Sequence, residues 1–164
     1  MRQINYHFFE ILNHTYLLAA TDKGLCFIGS QDKELDELRH FYPEATLREG
    51  TDLNIYYEQL DQYLSGKRSE FTVQTDISGT DFQQAVWKQL LKIPYGETTN
   101  YTMIAKSINR PKAVRAVGSA IGKNPLLMVI PCHRVLTKDN QLGGYRGGFE
   151  MKKSLLALEQ HNKI

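Results

Sequence analysis

The chain changes character at Ser78-Gly79-Thr80, and this break limits the folds open to it more than any other feature. Before the break, apolar residues come in short mixed runs. After it, they come at helical spacing behind recognisable caps. The two sides also carry opposite charge. Residues 1–78 hold 7 Lys/Arg against 13 Asp/Glu, a net of −6. Residues 79–164 hold 13 against 5, a net of +8, so the overall +2 conceals two unlike halves. We therefore expect two domains, 1–78 and 79–164. A chain of 164 residues suffices for one good core or two small ones packed together. A basic half joined to an acidic half suits contact with a polyanion, with a solvated basic surface as the alternative.

The first half predicts a small α/β unit. Asn5 to Ala20 mixes aromatic and aliphatic residues as short strands do. Asp22-Lys23-Gly24 is a turn signal ahead of the apolar Leu25-Cys26-Phe27-Ile28. Lys33 to Phe41 reads as an acidic helix stopped by Pro43. Thr51 to Leu64 reads as a second helix, with Leu53, Tyr56, Tyr57, Leu60 and Leu64 on one face and Ser65-Gly66 closing it. Phe71 to Val73 is expected to add a strand. Seventeen aromatic residues spread along the chain argue against disorder. The N-terminus has no apolar run of signal-peptide length, and no segment approaches the ~20 apolar residues of a membrane span. With only Cys26 and Cys132, a disulfide framework is not indicated, and a reducing cytoplasm is the expected location.

The second half predicts helices. Thr80 with Gln83 fits a capping box, and Phe82, Ala85, Val86 and Leu90 form one face of a helix ended by Pro94. Tyr101 to Ser107 is a short helix. Asn109-Arg110-Pro111 turns into a second one, Lys112 to Ile121, stopped by Gly122. Two short helices joined by a turn have the size of a helix-turn-helix. The second bears Lys112 and Arg115 beside small residues, Ala113, Ala116, Gly118, Ser119 and Ala120. Small residues let a helix approach a nucleic acid closely; they also let two helices pack. The basic charge of this half favours DNA contact. Leu126 to Ile130 is an apolar run, extended or buried. A glycine-rich loop, Leu142 to Gly148, precedes a last helix, Glu150 to His161.

Pro131-Cys132-His133-Arg134-Val135 follows the apolar run and is the segment most suited to chemistry. A thiol between His and Arg sits in a cationic setting that favours the nucleophilic thiolate. Cys26, among apolar neighbours, fits an inert buried cysteine. Alternation along an extended chain would turn His133 away from the Cys132 sulfur, so a bridging water would couple them. Met151, Leu155 and Leu158 make the inward stripe of the last helix, and Glu159 falls on its edge. A carboxylate facing a core needs a partner, for which a histidine serves; an exposed, snorkelling Glu is the alternative.

Taken in order, these segments resemble the O6-alkylguanine-DNA alkyltransferases, the methylated-DNA–protein-cysteine methyltransferases. The signature Pro131-Cys132-His133-Arg134-Val135 carries the likeness. It extends through Phe82 to Trp87, Pro94-Tyr95-Gly96-Glu97-Thr98, Tyr101, Pro111 to Gly118, Asn124-Pro125, Gly144 to Gly148, Lys152 and Leu155 to Glu159. The resemblance implies an α/β, ribonuclease-H-like N-terminal domain and a mainly α C-terminal domain with a winged-helix-like helix-turn-helix. It implies a single, irreversible transfer of a methyl or alkyl group from O6-alkylguanine in double-stranded DNA, and from O4-alkylthymine, to Cys132, without cofactor. His133 would take the thiol proton through a water, with Glu159 orienting the imidazole. Tyr101 would donate toward the leaving base, and Asn124 would hold the turn joining the recognition helix to the site. Arg115 would fill the gap left by a nucleotide flipped out through the minor groove. Lys112, Ala113, Ala116, Ser119 and Thr102 would complete the DNA-binding surface. Tyr101, Val135, Tyr145 and Arg146 would line the base pocket.

Two departures matter. Some members hold zinc in the first domain, but His7, His14, Cys26 and His40 lack metal-ligand spacing, so no metal is expected. Position 146 is Arg where several relatives carry a small residue, which is expected to narrow the pocket. Three other readings compete. A lesion-binding relative without transfer would lack the cysteine. A Cys-His hydrolase would need an oxyanion hole and a turnover path. A helix-turn-helix regulator would be a sequence-specific dimer rather than a monomer.

Overall fold

The computed structural model describes residues 2–50 and 52–163. The chain divides into two compact units, Met1–Ile77 and Ser78–Ile164. In the first, β1 (Gln3–Ile11), β2 (His14–Thr21) and β3 (Gly24–Ile28) form an antiparallel meander. β4 (Thr46–Glu49) adds to the far side of β1 in parallel, giving the order β3-β2-β1-β4. Helices α1 (Asp36–Phe41) and α2 (Asn54–Leu64) complete the unit. Ile4, Leu17, Ala19, Cys26, Phe27 and Leu38 make a closed cluster between sheet and helix. Cys26 is fully buried there, and burial pushes its thiol up to about 12, so it is inert at neutral pH.

This unit departs from the expectations at four points. β4 was not anticipated: Thr46-Leu47-Arg48-Glu49 has no alternating apolar pattern, because an edge strand facing solvent does not need one. The strand expected at Phe71 to Val73 does not form. Gln59 on α2 takes the Thr72 backbone instead, its Oε1 accepting from Thr72 N at 2.9 Å and its Nε2 donating to Thr72 Oγ1 at 2.7 Å. The chain joins the sheet only later, as a single parallel bridge between Thr75 and Leu25. The acidic helix is shorter than Lys33 to Phe41, beginning at Asp36. Thr51, the expected start of the second helix, lies outside the described residues; α2 begins at Asn54.

The second unit is mainly helical. α3 (Asp81–Leu90) opens with the expected capping box: Thr80 accepts from Gln83 N while Gln83 reaches back to the Thr80 amide. Gly79 lies against the Trp87 ring, where a Cβ would come within 2.8 Å of it. Trp87 in turn donates its indole N–H to Ala120 O at 2.9 Å, tying α3 to the next helices. β5 (Thr99–Asn100) leads into α4 (Tyr101–Ser107), capped by the Asn100 side chain on Met103 N. Asn109, at φ 60°, makes the turn into α5 (Val114–Gly122). α5 thus starts two residues later than expected, and Lys112 lies in the turn before it rather than on its first turn. A short strand β6 (Val135–Leu136) pairs in parallel with β5, and α6 (Phe149–Asn162) ends the unit. No described helix is long and apolar enough to cross a membrane.

Candidate active site

Three segments of the second unit converge on Cys132. The first is the apolar run after α5. Leu126 to Ile130 is neither strand nor helix but a buried turn, with Val129 N donating to Leu127 O and Met128 held at φ 73°. That is the strained γ-turn geometry, which persists only where surrounding groups fix it. Asn124, 1% exposed, supplies the fixing. Its Nδ2 donates to Ile130 O at 2.8 Å and Leu126 O at 3.4 Å, and its Oδ1 accepts from Leu126 N at 2.9 Å. The Asn124 amide also favours the Cys132 thiolate, drawing the thiol pKa down. One side chain thus joins the end of α5 to the reactive residue.

The second segment is the cysteine turn. Cys132–Arg134 form one turn of 3-10 helix, not the extended chain expected, so the alternation argument for His133 does not apply. His133 is fully buried, with Nε2 2.7 Å from Glu159 Oε2. With Nε2 engaged by the carboxylate, Nδ1 is the ring nitrogen that can exchange a proton. Burial lowers the His133 pKa despite Glu159, so the imidazole is neutral and able to accept. Burial likewise raises the Cys132 pKa, against the opposing pull of Asn124, Arg146 and Lys152. The expectation of a resting thiolate is therefore corrected. Desolvation outweighs the cationic setting, and the resting group is a thiol that must hand its proton on.

The third segment is α6. Glu159, 1% exposed, accepts from His133 and from a bidentate Arg134, whose Nε and Nη2 lie 2.8 and 2.9 Å from its two oxygens. Gly96 N adds a longer bond at 3.3 Å, and Arg134 Nη1 also donates to Ile93 O. The carboxylate is thus a buried, fully matched anion and not a snorkelling one. Arg134 was read as part of the cationic setting of Cys132; it faces Glu159 instead. Nothing in the spacing of the motif distinguishes those two directions.

The remaining residues fall into two groups. Tyr101, half-buried, packs its ring against Gly118 of α5. Burial first, then proximity to Cys132, raises its pKa, which keeps the phenol protonated. Gly143, at φ +70°, passes so close that a Cβ there would come within 3.3 Å of the Tyr101 Oη. Val135 is buried directly after the cysteine turn and Tyr145 is half-buried in the loop. Arg146 turns its Nη2 to Asn124 O and Pro125 O, at 3.1 and 3.2 Å. Lys112, Arg115, Ala116 and Ser119 lie away from this cluster, exposed on and just before α5; Ala113 and Thr102 are half-buried. The small residues of α5 therefore divide. Gly118 and Ala120 serve packing, and Ala116 and Ser119 leave an open face. Sequence reasoning also gave no role to Lys152, which is completely buried. Its position seven residues before Glu159, on the same helical face, was the available signal.

A helix-turn-helix beside a buried cysteine, histidine and glutamate defines a DNA-binding protein equipped for nucleophilic chemistry. Comparison with known proteins narrows the class. Residues 81–161 match the family model for the 6-O-methylguanine DNA methyltransferase, DNA binding domain, and residues 6–77 that for its ribonuclease-like domain. The chain belongs to the 6-O-methylguanine DNA methyltransferase family. It is 53% identical over 150 residues to the inducible methylated-DNA–protein-cysteine methyltransferase of Bacillus subtilis, covering 88% of this chain and 84% of that one. It is 42% identical to the Methanosarcina barkeri methylated-DNA–protein-cysteine methyltransferase, over 89% of this chain and 90% of that one. The crystal structure of the Mycobacterium tuberculosis O6-methylguanine methyltransferase superposes with a TM-score of 0.82 at 38% identity, over 98% and 95% of the two chains. A structure of the M. tuberculosis OGT in complex with DNA matches with a TM-score of 0.80.

Proposed function

We propose that this protein repairs alkylated DNA by moving an alkyl group from guanine O6, and from thymine O4, onto its own Cys132. The observation that carries this reading is the cluster itself: a thiol, a neutral imidazole on a matched carboxylate, and a protonated phenol, in the unit that bears the helix-turn-helix. The Cys132 proton passes through a water to His133, whose charge Glu159 stabilises. The sulfur attacks the alkyl carbon. The S–C bond forms as the C–O6 bond breaks, and the electron pair leaves with the guanine. Tyr101 supplies a proton or hydrogen bond to the departing base. The O6 atom cannot reach a buried sulfur from within the stack, so the nucleotide flips out. α5 enters the minor groove by its open Ala116 and Ser119 face, and Arg115 takes the vacated position. Asn124 keeps α5 and Cys132 in register, and Tyr101, Val135, Tyr145 and Arg146 line the base pocket. Lys112, Ala113 and Thr102 add contacts along the strand. The thioether is a stable bond, so each molecule acts once. No cofactor or metal enters the scheme, and we read the protein as a cytoplasmic monomer.

The test is the intact mass of the protein after incubation with DNA carrying O6-methylguanine. We expect the gain of one methyl group, located on Cys132 and absent from Cys26. Methyl on another residue, or several rounds of transfer by one molecule, would refute the mechanism.

A further inference from the structure

Asn100 stands where β5 ends and α4 begins, and it serves both. Its backbone is extended, with φ −135° and ψ 168°, as a strand residue and a helix cap both require. On the strand side it pairs in parallel with Leu136 of β6, beside the pair Thr99 and Val135. Val135 follows the cysteine turn directly. On the helix side the Asn100 Oδ1 accepts from Met103 N at 2.8 Å. Tyr101 is the residue between these two anchors, the first of α4. Its backbone is helical only while the first turn holds. With seven residues, α4 is too short to hold that turn by helix propensity alone.

We propose that Asn100 is a positioning residue for alkyl transfer, pairing with β6 and capping α4 so that the Tyr101 phenol is held beside Cys132. The inference rests on the reading of Tyr101 as donor to the departing base, and Asn100 acts through that phenol rather than on the base itself. Three observations show how closely the phenol is bounded. Its ring packs on Gly118 of α5. The glycine-rich loop passes so near that a Cβ on Gly143 would come within 3.3 Å of the Oη. Burial first, and then proximity to Cys132, raises the phenol pKa, which sets the two groups within electrostatic reach. Fraying of the first turn would swing the Tyr101 side chain out of this slot, and a displacement of about 1 Å in a reacting group costs rate.

The test is single-turnover transfer from free O6-alkylguanine base, with stability to urea measured beside it. Cap quality falls in the order Asn and Ser, then Gly, then Ala. Asn100→Ser should keep the wild-type rate. Asn100→Gly should lose less than about twofold, and Asn100→Ala should slow transfer on the order of fivefold. In a Tyr101→Phe background, Asn100→Ala should slow transfer no further, because the group that it places is gone. A purely structural cap would behave otherwise. An Asn100→Ala protein that is less stable to urea but transfers at the wild-type rate overturns the proposal. Equal slowing by Asn100→Ala with and without the phenol overturns it too. If Asn100→Ala does not fold, Asn100→Gly takes its place in both comparisons. A Tyr101→Phe protein with the wild-type rate overturns the donor reading and the proposal with it, whereas a slow Tyr101→Phe protein with additive effects overturns the proposal alone.

Discussion

A carboxylate that is 1% exposed must find enough donors to replace water, and Glu159 finds them in two neighbouring residues of one turn. Arg134 satisfies the charge and His133 uses what remains. The division of labour has a measurable consequence. Glu159→Gln keeps the shape but weakens the hold on the imidazolium that forms during transfer, so it should slow alkyl transfer and leave DNA affinity nearly intact. His133→Ala combined with Glu159→Gln should cost far less than the two effects added, since members of one relay are not additive. Strict additivity of single-turnover rates would separate the two residues. This pair was legible in the sequence, because Glu159 follows Leu155 by four and a core-facing carboxylate requires a partner. Arg134 and Lys152 were not. Burial depends on what packs around a side chain, and the motif records only what stands next to it.

Among the elements, α5 departs from ordinary helix chemistry. Arg115 lies in its first turn, Lys112 in the turn before it, and the first turn holds no acidic residue. Cations there oppose the helix dipole, an arrangement that a phosphate backbone relieves. The two residues should nevertheless differ. A cation that only meets phosphate weakens binding when removed and lowers the salt slope by about one unit. An inserted arginine stabilises the flipped nucleotide, and its loss raises the flipping cost by on the order of a few kcal/mol. Arg115→Ala should therefore slow transfer from duplex DNA strongly and hardly affect transfer from free O6-alkylguanine base. Lys112→Ala should alter duplex affinity alone. Single-turnover rates on both substrates check this; like behaviour of the two variants on duplex would reduce Arg115 to part of the basic surface. Elements with a local rule were readable: the Thr80 capping box, the Tyr101–Ser107 helix and the turn at Gly66. β4 and the segment around Thr72 were not, because a pairing across the sheet and a Gln59 side chain decided them.

At the scale of the molecule, both cysteines are withdrawn from solvent: Cys26 is 0% exposed and Cys132 3%. Burial raises both thiols. In the folded protein both should react with hydrogen peroxide or a soluble disulfide far more slowly than in urea, since the attacking species is an accessible thiolate. Equal rates in the two conditions would refute this. A protein that acts once is used up as a reagent is, and its usefulness to a cell is the number of unspent molecules on hand when a lesion forms. The neutral, enclosed sulfur therefore sets how long each molecule keeps. It withholds reactivity from peroxides and passing disulfides until a base arrives to claim it, so the protein has a shelf life where other catalysts have a turnover number.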